Sequence, residues 1–438
     1  MTTLMPQLGG GLYTLIAFVV SLSIIVAIHE YGHYIVGRWC GIHAEVYSLG
    51  FGPVLFARRD KRGTLWQVAA LPFGGYVKFL GDANAASVGG TDRVQGRDAR
   101  HTMLGAPLWA RVLTVAAGPV FNFILAVLLV AGYMMTVGTP RDPITYLHEV
   151  PLPPAYASDL QPGDEILRIG DKTMAAGENL SDLPVTQHVD YTVRRDGSEI
   201  VVQGPFPIPP RASGVNPRSA ADDAGLRIGD VITSIDGMPI FAFDQIIDKV
   251  NATDGRDLVL AVWRDGTTRD IILAPRRMDL PLPDGGFETR WLIGISGDLF
   301  FDAATERVAP WTALWVGVQQ LWTSITTSLS AMAHIVTGAI STCNLSGPVG
   351  IAQASGSMAS QGVSSYVLFI AALSTGVGLL NLFPVPILDG GHLVFHAYEA
   401  ITRRKPSERV LNVLMTSGVV LIGALMIFAL INDLVLCP

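Results

Sequence analysis

Residues 13–38 read YTLIAFVVSLSIIVAIHEYGHYIVGR: sixteen residues without a formal charge, then His29, Glu30 and His33 within five positions. A hydrocarbon core about 30 Å thick needs roughly 20 apolar residues to cross it as a helix, so this stretch reads as a membrane span. It lacks a basic leader and runs into His29 and Glu30 rather than a small-residue cleavage site, so the reading is a retained helix, not a signal peptide. Residues 108–137, 366–388 and 411–434 are three further candidates. Across the chain of 438 residues, 50% are hydrophobic and only 15% charged, with a mean hydropathy of +0.41. Soluble domains carry about 25% charge, so neither one soluble globule nor a disordered chain fits. The 30 Lys and Arg against 37 Asp and Glu, net −7, offer no basic surface for nucleic acid. Cys40, Cys343 and Cys437 are scattered, odd in number and without C-x-x-C spacing, which suggests neither a disulfide framework nor a thiolate zinc site.

Short-loop Lys and Arg set the expected orientation. Arg58, Arg59, Lys61, Arg62, Lys78, Arg93, Arg97 and Arg100 follow the first span, and Arg403, Arg404, Lys405 and Arg409 precede the fourth. Both loops are expected on the cytoplasmic side, which puts both termini and residues 138–365 on the other side. That region repeats itself: LQPGDEILRIG from Leu160 lies over LRIGDVITSID from Leu226, with Leu, Gly-Asp and two Ile in register. Each copy reads as a turn followed by an alternating strand, and the second continues through the hairpin-like DGMPI into a helical stretch at 243–250 and a strand at 258–263. The pattern resembles tandem PDZ domains of the circularly permuted bacterial form, which bind extended peptide by adding a strand to a sheet edge. Residues 308–340, with Trp311, Trp315 and Trp322 among small and hydroxyl residues, read as one or two helices lying on the outer membrane surface or capping the spans.

His29-Glu30-Tyr31-Gly32-His33 matches H-E-x-x-H, in which two His one helical turn apart share a face and can share a zinc ion. Glu30 is then the general base towards the attacking water. Ionisable groups inside a membrane helix are costly unless they face protein or ligate a metal, which strengthens the motif. Catalytic zinc takes three protein ligands, so a third is needed. The third span supplies one in NLFPVPILDGGH, residues 381–392, where Pro384 and Pro386 interrupt the helix ahead of Asp389. The sixteen residues from Tyr13 to His29 cover about 24 Å as helix, leaving the His pair near the cytoplasmic edge of the core. The third span runs the same way, so Asp389 reaches the same depth. His392 is a rival, but an imidazole there leaves the site without a carboxylate, and Asp389 is preferred.

Taken together, the zinc motif, the N-x-x-P-x-P-x-L-D-G run and the tandem PDZ pattern resemble the site-2 intramembrane metalloproteases over nearly the whole chain, and among them the PDZ-bearing bacterial regulators of sigma-E protease. The resemblance implies one zinc ion on His29, His33 and Asp389, with Glu30 as base and Asn381 holding substrate near the metal. It also matches Gly118-Pro119-Val120-Phe121-Asn122, where Asn122 touches either substrate or its own neighbours, and a loop at 344–350 with no evident mechanism. Gly74, Gly75, Tyr76, Val77 and Lys78 lie on the hairpin and edge strand that in the family pair with the substrate backbone. Substrate contact is thus expected from these five residues and from Asn381, Pro384, Pro386 and Asn122. The expected fold class is a polytopic α-helical membrane protein with about four transmembrane helices, a membrane-associated β-hairpin region and two extracytoplasmic PDZ-like α+β domains. Its parts are the first helix (1–40), a cytoplasmic loop with the β region (41–106), the second helix (107–138) and the PDZ-like domains (139–211 and 212–278). A surface helical segment (279–363), the third membrane segment (364–398) and a basic loop with the fourth helix (399–438) complete the chain. The implied activity is zinc-dependent cleavage of single-span proteins, such as anti-sigma factors or signal-peptide remnants, in the bacterial inner membrane. The PDZ-like domains are then periplasmic and the zinc site lies near the cytoplasm. The alternative, a membrane-tethered PDZ scaffold with a non-catalytic metal, has no need of Glu30. A broken-helix transporter has no need of H-E-x-x-H.

Overall fold

Leu, Ile, Val and Ala dominate the first apolar run, and with no proline inside it the helix continues unbroken over Gly10–Trp39. The computed structural model describes residues 10–81, 100–173, 180–282 and 286–436. In chain order its longer helices are α1 (Gly10–Trp39), α2 (Leu108–Val137), α3 (Phe243–Asn251), α4 (Pro310–Val336), α5 (Pro348–Ser360), α6 (Val363–Asn381), α7 (Asp389–Thr402) and α8 (Glu408–Ile431). Two units separate: Met1–Gly132 with Ala313–Leu329 and Leu345–Pro438, and Tyr133–Thr312 with Ser330–Asn344.

In the first unit, α1, α2, α6 and the stretch Glu408–Leu436 that contains α8 are, among the described residues, the four helices long and apolar enough to cross a membrane. Along α1, Ala17, Ser21, Ile25, His29 and Gly32 are buried at helical spacing, while Leu12, Leu15, Ile16, Val20 and Ile24 are exposed. The His pair therefore belongs to the stripe that faces protein. Gly32 lets α2 approach to the carbonyl of Ala117, where a Cβ would sit 2.5 Å from the oxygen. Strands β1 (Ala44–Arg59) and β2 (Leu65–Phe79) form a long irregular ribbon in which residues 46–49 align with both 65–68 and 75–78. Tyr34, Tyr47, Val77 and Phe79 bury its base against α1, and the Tyr47 hydroxyl donates to the carbonyl of Ala27 at 2.7 Å. Towards its far end Val54, Leu55 and Phe56 are exposed.

The loop before α5 acquires a physical role. The backbone N–H groups of Gly347 and Gly350, at the start of that helix, donate to the buried Asp433 carboxylate at 3.0 and 2.9 Å, and Asn432 donates to the carbonyl of Leu345 at 3.0 Å. An anion at a helix N-terminus meets unpaired donors and a favourable dipole, so this loop anchors the end of the last helix.

The second unit holds two sheets of matching order. Ile144–Glu149, Glu165–Ile169, Val189–Arg195 and Ser198–Gly204 run side by side in one, with Lys172–Thr173 pairing Glu165–Ile169. Met238–Pro239, Val231–Ile235, Leu258–Arg264 and Thr267–Leu273 make the other, with α3 packed by Ile246 and Val250. The sequence repeat has one physical cause in both copies. Gly163 and Gly229 turn the chain at φ +98° and +96°. The next residue, Asp164 or Asp230, is buried and takes both a nearby backbone N–H, from Gln161 or Arg227, and a two-pronged guanidinium, from Arg195 or Arg264. The following Ile pair, Ile166 with Ile169 or Ile232 with Ile235, is fully buried in its core. Each arginine is followed by Asp-Gly with positive φ at both positions, the turn that matches the twist of a two-residue hairpin.

Two expectations need correction. Within 279–363, expected to be helical, the first part is strand: Arg276–Pro281 pairs with Phe287–Leu292, Ile295–Ser296 returns to Gly214–Val215, and Phe301–Ala303 to Ile144–Glu149. Arg276–Pro281 and Phe287–Leu292 make a local hairpin, whereas the two later strands are short and get their partners from residues 80 or more positions earlier, so no local period marks them. In addition, Cys343 is disulfide-bonded, which the cysteine spacing did not suggest. The Trp-bearing stretch is one continuous helix, α4, with Trp311, Trp315 and Trp322 all exposed.

Burial raises the pKa of Asp164, but its bonds from Arg195 and the N–H of Gln161 outweigh that and hold it below the usual aspartate value. Its ionised form thus stabilises this unit above about pH 4, and the contribution is lost as pH falls through the depressed value. The thermal midpoint of the full chain is expected to drop below pH 4. Asp164→Asn is expected to lower the midpoint at pH 6 and to flatten the acid limb; superimposable profiles for the two proteins would contradict the pairing.

Candidate metal centre

The buried stripe of α1 brings His29 and His33 together with their Nε2 atoms 3.2 Å apart. Asp389 is the first residue of α7, and its Oδ2 lies 3.1 Å from Nε2 of His29 and 3.5 Å from Nε2 of His33. That oxygen is buried without a hydrogen-bond donor. Three ligands at about 2.0–2.1 Å around a tetrahedral zinc stand roughly 3.3 Å from one another, so the triangle has the size and the N, N, O chemistry of a catalytic zinc site with one position open. Among the described residues no other group of three His, Cys, Asp or Glu side chains comes together in this way.

The chain break that aims Asp389 is local. α6 ends at Asn381, and Leu382–Leu388 turns tightly, with Val385 N–H on the carbonyl of Phe383 at 2.7 Å and Leu388 N–H on that of Val385 at 2.8 Å. Pro384 and Pro386 bar helix continuation here. Gly390 lies so close to the carbonyls of Leu382 and Phe383 that a Cβ has no room, which is why Asp389 is followed by glycine. Further along α7, Glu399 receives both arms of Arg111 from α2 at 2.8 Å, and Arg111 Nε also reaches the carbonyl of Ala106. This two-pronged, partly buried pair ties the helix that carries Asp389 to α2.

α2 forms the wall behind the histidines. Gly118 abuts both rings: a Cβ there would overlap Nε2 of His33 and stand 2.8 Å from Cε1 of His29. His33 Nδ1 is 2.8 Å from the carbonyl of Thr114, and the fully buried Asn122 amide is 3.2 Å from Nδ1 of His29. Glu30 lies on the β2 side, where the backbone N–H of Val77 donates to its carboxylate and a Cβ on Gly75 would stand 3.2 Å from its Cγ. Of the remaining residues expected to touch substrate, Tyr76 takes a bond from Gln67 at 3.2 Å and stacks with Phe51, Lys78 pairs with Glu45 at 3.0 Å, and Gly74 turns at φ +132°. Asn381 donates to the carbonyl of Val377 in its own helix at 3.1 Å, Pro384 is exposed and Pro386 half-buried. The structure thus gathers His29, Glu30, His33, Asp389, Asn122 and residues 75–77 around one point. Thr114 and the Arg111–Glu399 pair escaped notice because a carbonyl has no sequence signature and the pair is 288 positions apart.

Two imidazoles and a carboxylate so placed could hold a metal ion, as a metallopeptidase requires. The family model described as Peptidase family M50 matches residues 17–425, and the chain belongs to that family, the site-2 proteases. A protein of Agrobacterium fabrum, provisionally named a zinc metalloprotease, is 34% identical over 438 residues, 99% of each chain. The regulator of sigma-E protease RseP of Salmonella typhimurium is 31% identical over 454 residues, 96% of this chain and 98% of its own. That of Escherichia coli K12 is 31% identical over 458 residues with the same coverage. The protein is accordingly a zinc metalloprotease.

Gly118→Ala is expected to displace the His33 ring and weaken zinc binding by more than about tenfold, on the scale of losing ligand geometry. Gly132→Ala, on the same helix with nothing within 4 Å, is the control and is expected to bind as wild type. Competition with a fluorescent chelator measures both, and equal affinities would contradict the packing.

Proposed function

We propose that this protease cuts single-span membrane proteins within or beside their membrane segment, using one zinc ion held by His29, His33 and Asp389 and Glu30 as general base. The observation that carries the reading is the triangle of donor atoms 3.1–3.5 Å on a side, beside a carboxylate, near the end of an otherwise apolar helix. A bound zinc ion supplies the Lewis acid that polarises the scissile carbonyl and acidifies the attacking water. Glu30, held by Val77 N–H, takes the water's proton and returns it to the leaving amine. A helix hides its peptide bonds, so the substrate must be drawn out as a strand. Residues 74–78 at the rim of the ribbon offer the edge to pair with it. Asn381, Pro384 and Pro386 in the break before Asp389 hold its other side.

Short-loop Lys and Arg put the ribbon and the basic turn before α8 in the cytoplasm, and the paired sheets of the second unit outside. The disulfide at Cys343, in the segment between α4 and α5, suits an oxidising compartment. In a bacterial inner membrane the zinc centre then lies near the cytoplasmic face. The two sheets act there as PDZ-like domains that filter substrates by the size of their outer part. Relatives named regulators of sigma-E protease point to sigma-E regulation, and anti-sigma factors or signal-peptide remnants fit the single-span requirement.

Glu30→Gln is expected to retain zinc and lose about 10²–10⁴-fold in cleavage rate of tagged single-span substrates in detergent, the range for removing a general base. Chelation should abolish wild-type cleavage and added zinc restore it. A variant that cleaves as well as wild type would remove Glu30 from this role. Absence of cleavage by zinc-loaded wild type, even of substrates with trimmed outer domains, would favour a scaffold.

A further inference from the structure

We infer that Asn122 is a positioning residue for the metal centre, accepting the Nδ1–H of His29 through its amide oxygen so that Nε2 carries a lone pair towards Asp389 and His33; this rests on the zinc reading above. The two histidines meet each other and Asp389 Oδ2 through Nε2, so each must carry its proton on Nδ1 to act as a ligand. For His33 that proton has an acceptor, the carbonyl of Thr114 at 2.8 Å. For His29 the facing group is the Asn122 amide at 3.2 Å. In one of its two orientations the amide turns its NH2 to the ring and leaves its Oδ1 buried without a donor. The two ends of an amide have the same shape, and the hydrogen-bond requirement decides between them. With Oδ1 on the ring, α2 supplies an acceptor to both histidines, two turns apart, on either side of Gly118. The NH2 takes the place where the oxygen meets no donor.

A substrate-holding role is hard to reconcile with this position. Asn122 is 0% exposed, and its own carbonyl accepts the Ser374 hydroxyl of α6 at 2.9 Å. The side chain faces the ring of His29 at the α2–α6 contact, not an open groove. Acceptors behind ligating histidines fix the ring's tautomer and orientation, and their loss weakens metal binding about 10–100-fold.

The test measures zinc dissociation constants of the purified full-length protein by chelator competition for wild type, Asn122→Leu and Asn122→Asp, alongside cleavage. Asn122→Leu keeps the bulk and removes the acceptor, and is expected to bind zinc about 10–100-fold more weakly. Asn122→Asp keeps an acceptor and is expected to bind within about threefold of wild type or tighter. Equal weakening in both variants would mean a packing role and overturn the inference. Wild-type zinc affinity in Asn122→Leu with an increased KM for cleavage would return Asn122 to the substrate. Failure of wild type itself to bind zinc would instead overturn the metal reading, and this inference with it.

Discussion

An apolar helix that carries His29, Glu30 and His33 within one and a half turns is stable only if every one of those polar groups finds a partner. Leaving a buried polar group unpaired costs several kcal/mol, and an isolated charge far more. The rest of the first unit can be read as the set of partners. α2 comes close enough, through Gly32 on one side and Gly118 on the other, to face both rings with polar groups. The break after α6 brings Asp389 to their other side, and β2 brings a backbone N–H to Glu30. Glycines recur where backbones must touch these side chains because any Cβ would occupy a donor's place.

The second unit solves a different problem with one device used twice. In each sheet a positive-φ glycine leads into one strand, and the buried aspartate that follows it is locked by an arginine from a later strand, 31 positions on for Asp164 and 34 for Asp230. This arrangement ties the entry of one strand to the strand that pairs beside it, so the repeat preserves an ion pair as well as an apolar pattern. Segments from beyond the second sheet return to both regions: Phe301–Ala303 joins the first sheet beside Ile144–Glu149, and Ile295–Ser296 forms a separate two-stranded pair with Gly214–Val215.

Much of this is legible in the residues themselves. Hydropathy marks four helices, H-E-x-x-H and the D-G-G that ends the proline break mark the side chains that meet at the candidate metal centre, and Gly-Asp-x-Ile marks the two copies. What stays hidden is carried by partners far apart in the chain. Arg195-Asp196-Gly197 and Arg264-Asp265-Gly266 repeat as plainly as Gly-Asp, yet nothing local says which aspartate each arginine holds. The strands between Ile295 and Glu306 are two or three residues long, and only their distant partners make them strands. Asp433 reads as a stray charge at the end of an apolar helix until the N–H groups of Gly347 and Gly350 are seen around it. Asn122 is visible as a polar residue in a span, but whether it serves substrate or ligand depends on what it faces.

The central claim is that His29, His33 and Asp389 bind one zinc ion between α1 and α7. Zinc X-ray absorption fine structure on the loaded full-length protein tests it most directly. The account predicts a nitrogen and oxygen shell at about 2.0–2.1 Å with the outer scattering of two imidazoles, one of which disappears in His33→Ala. Sulfur scattering at about 2.3 Å, or an imidazole signal that survives replacement of both His29 and His33 by alanine, would contradict it.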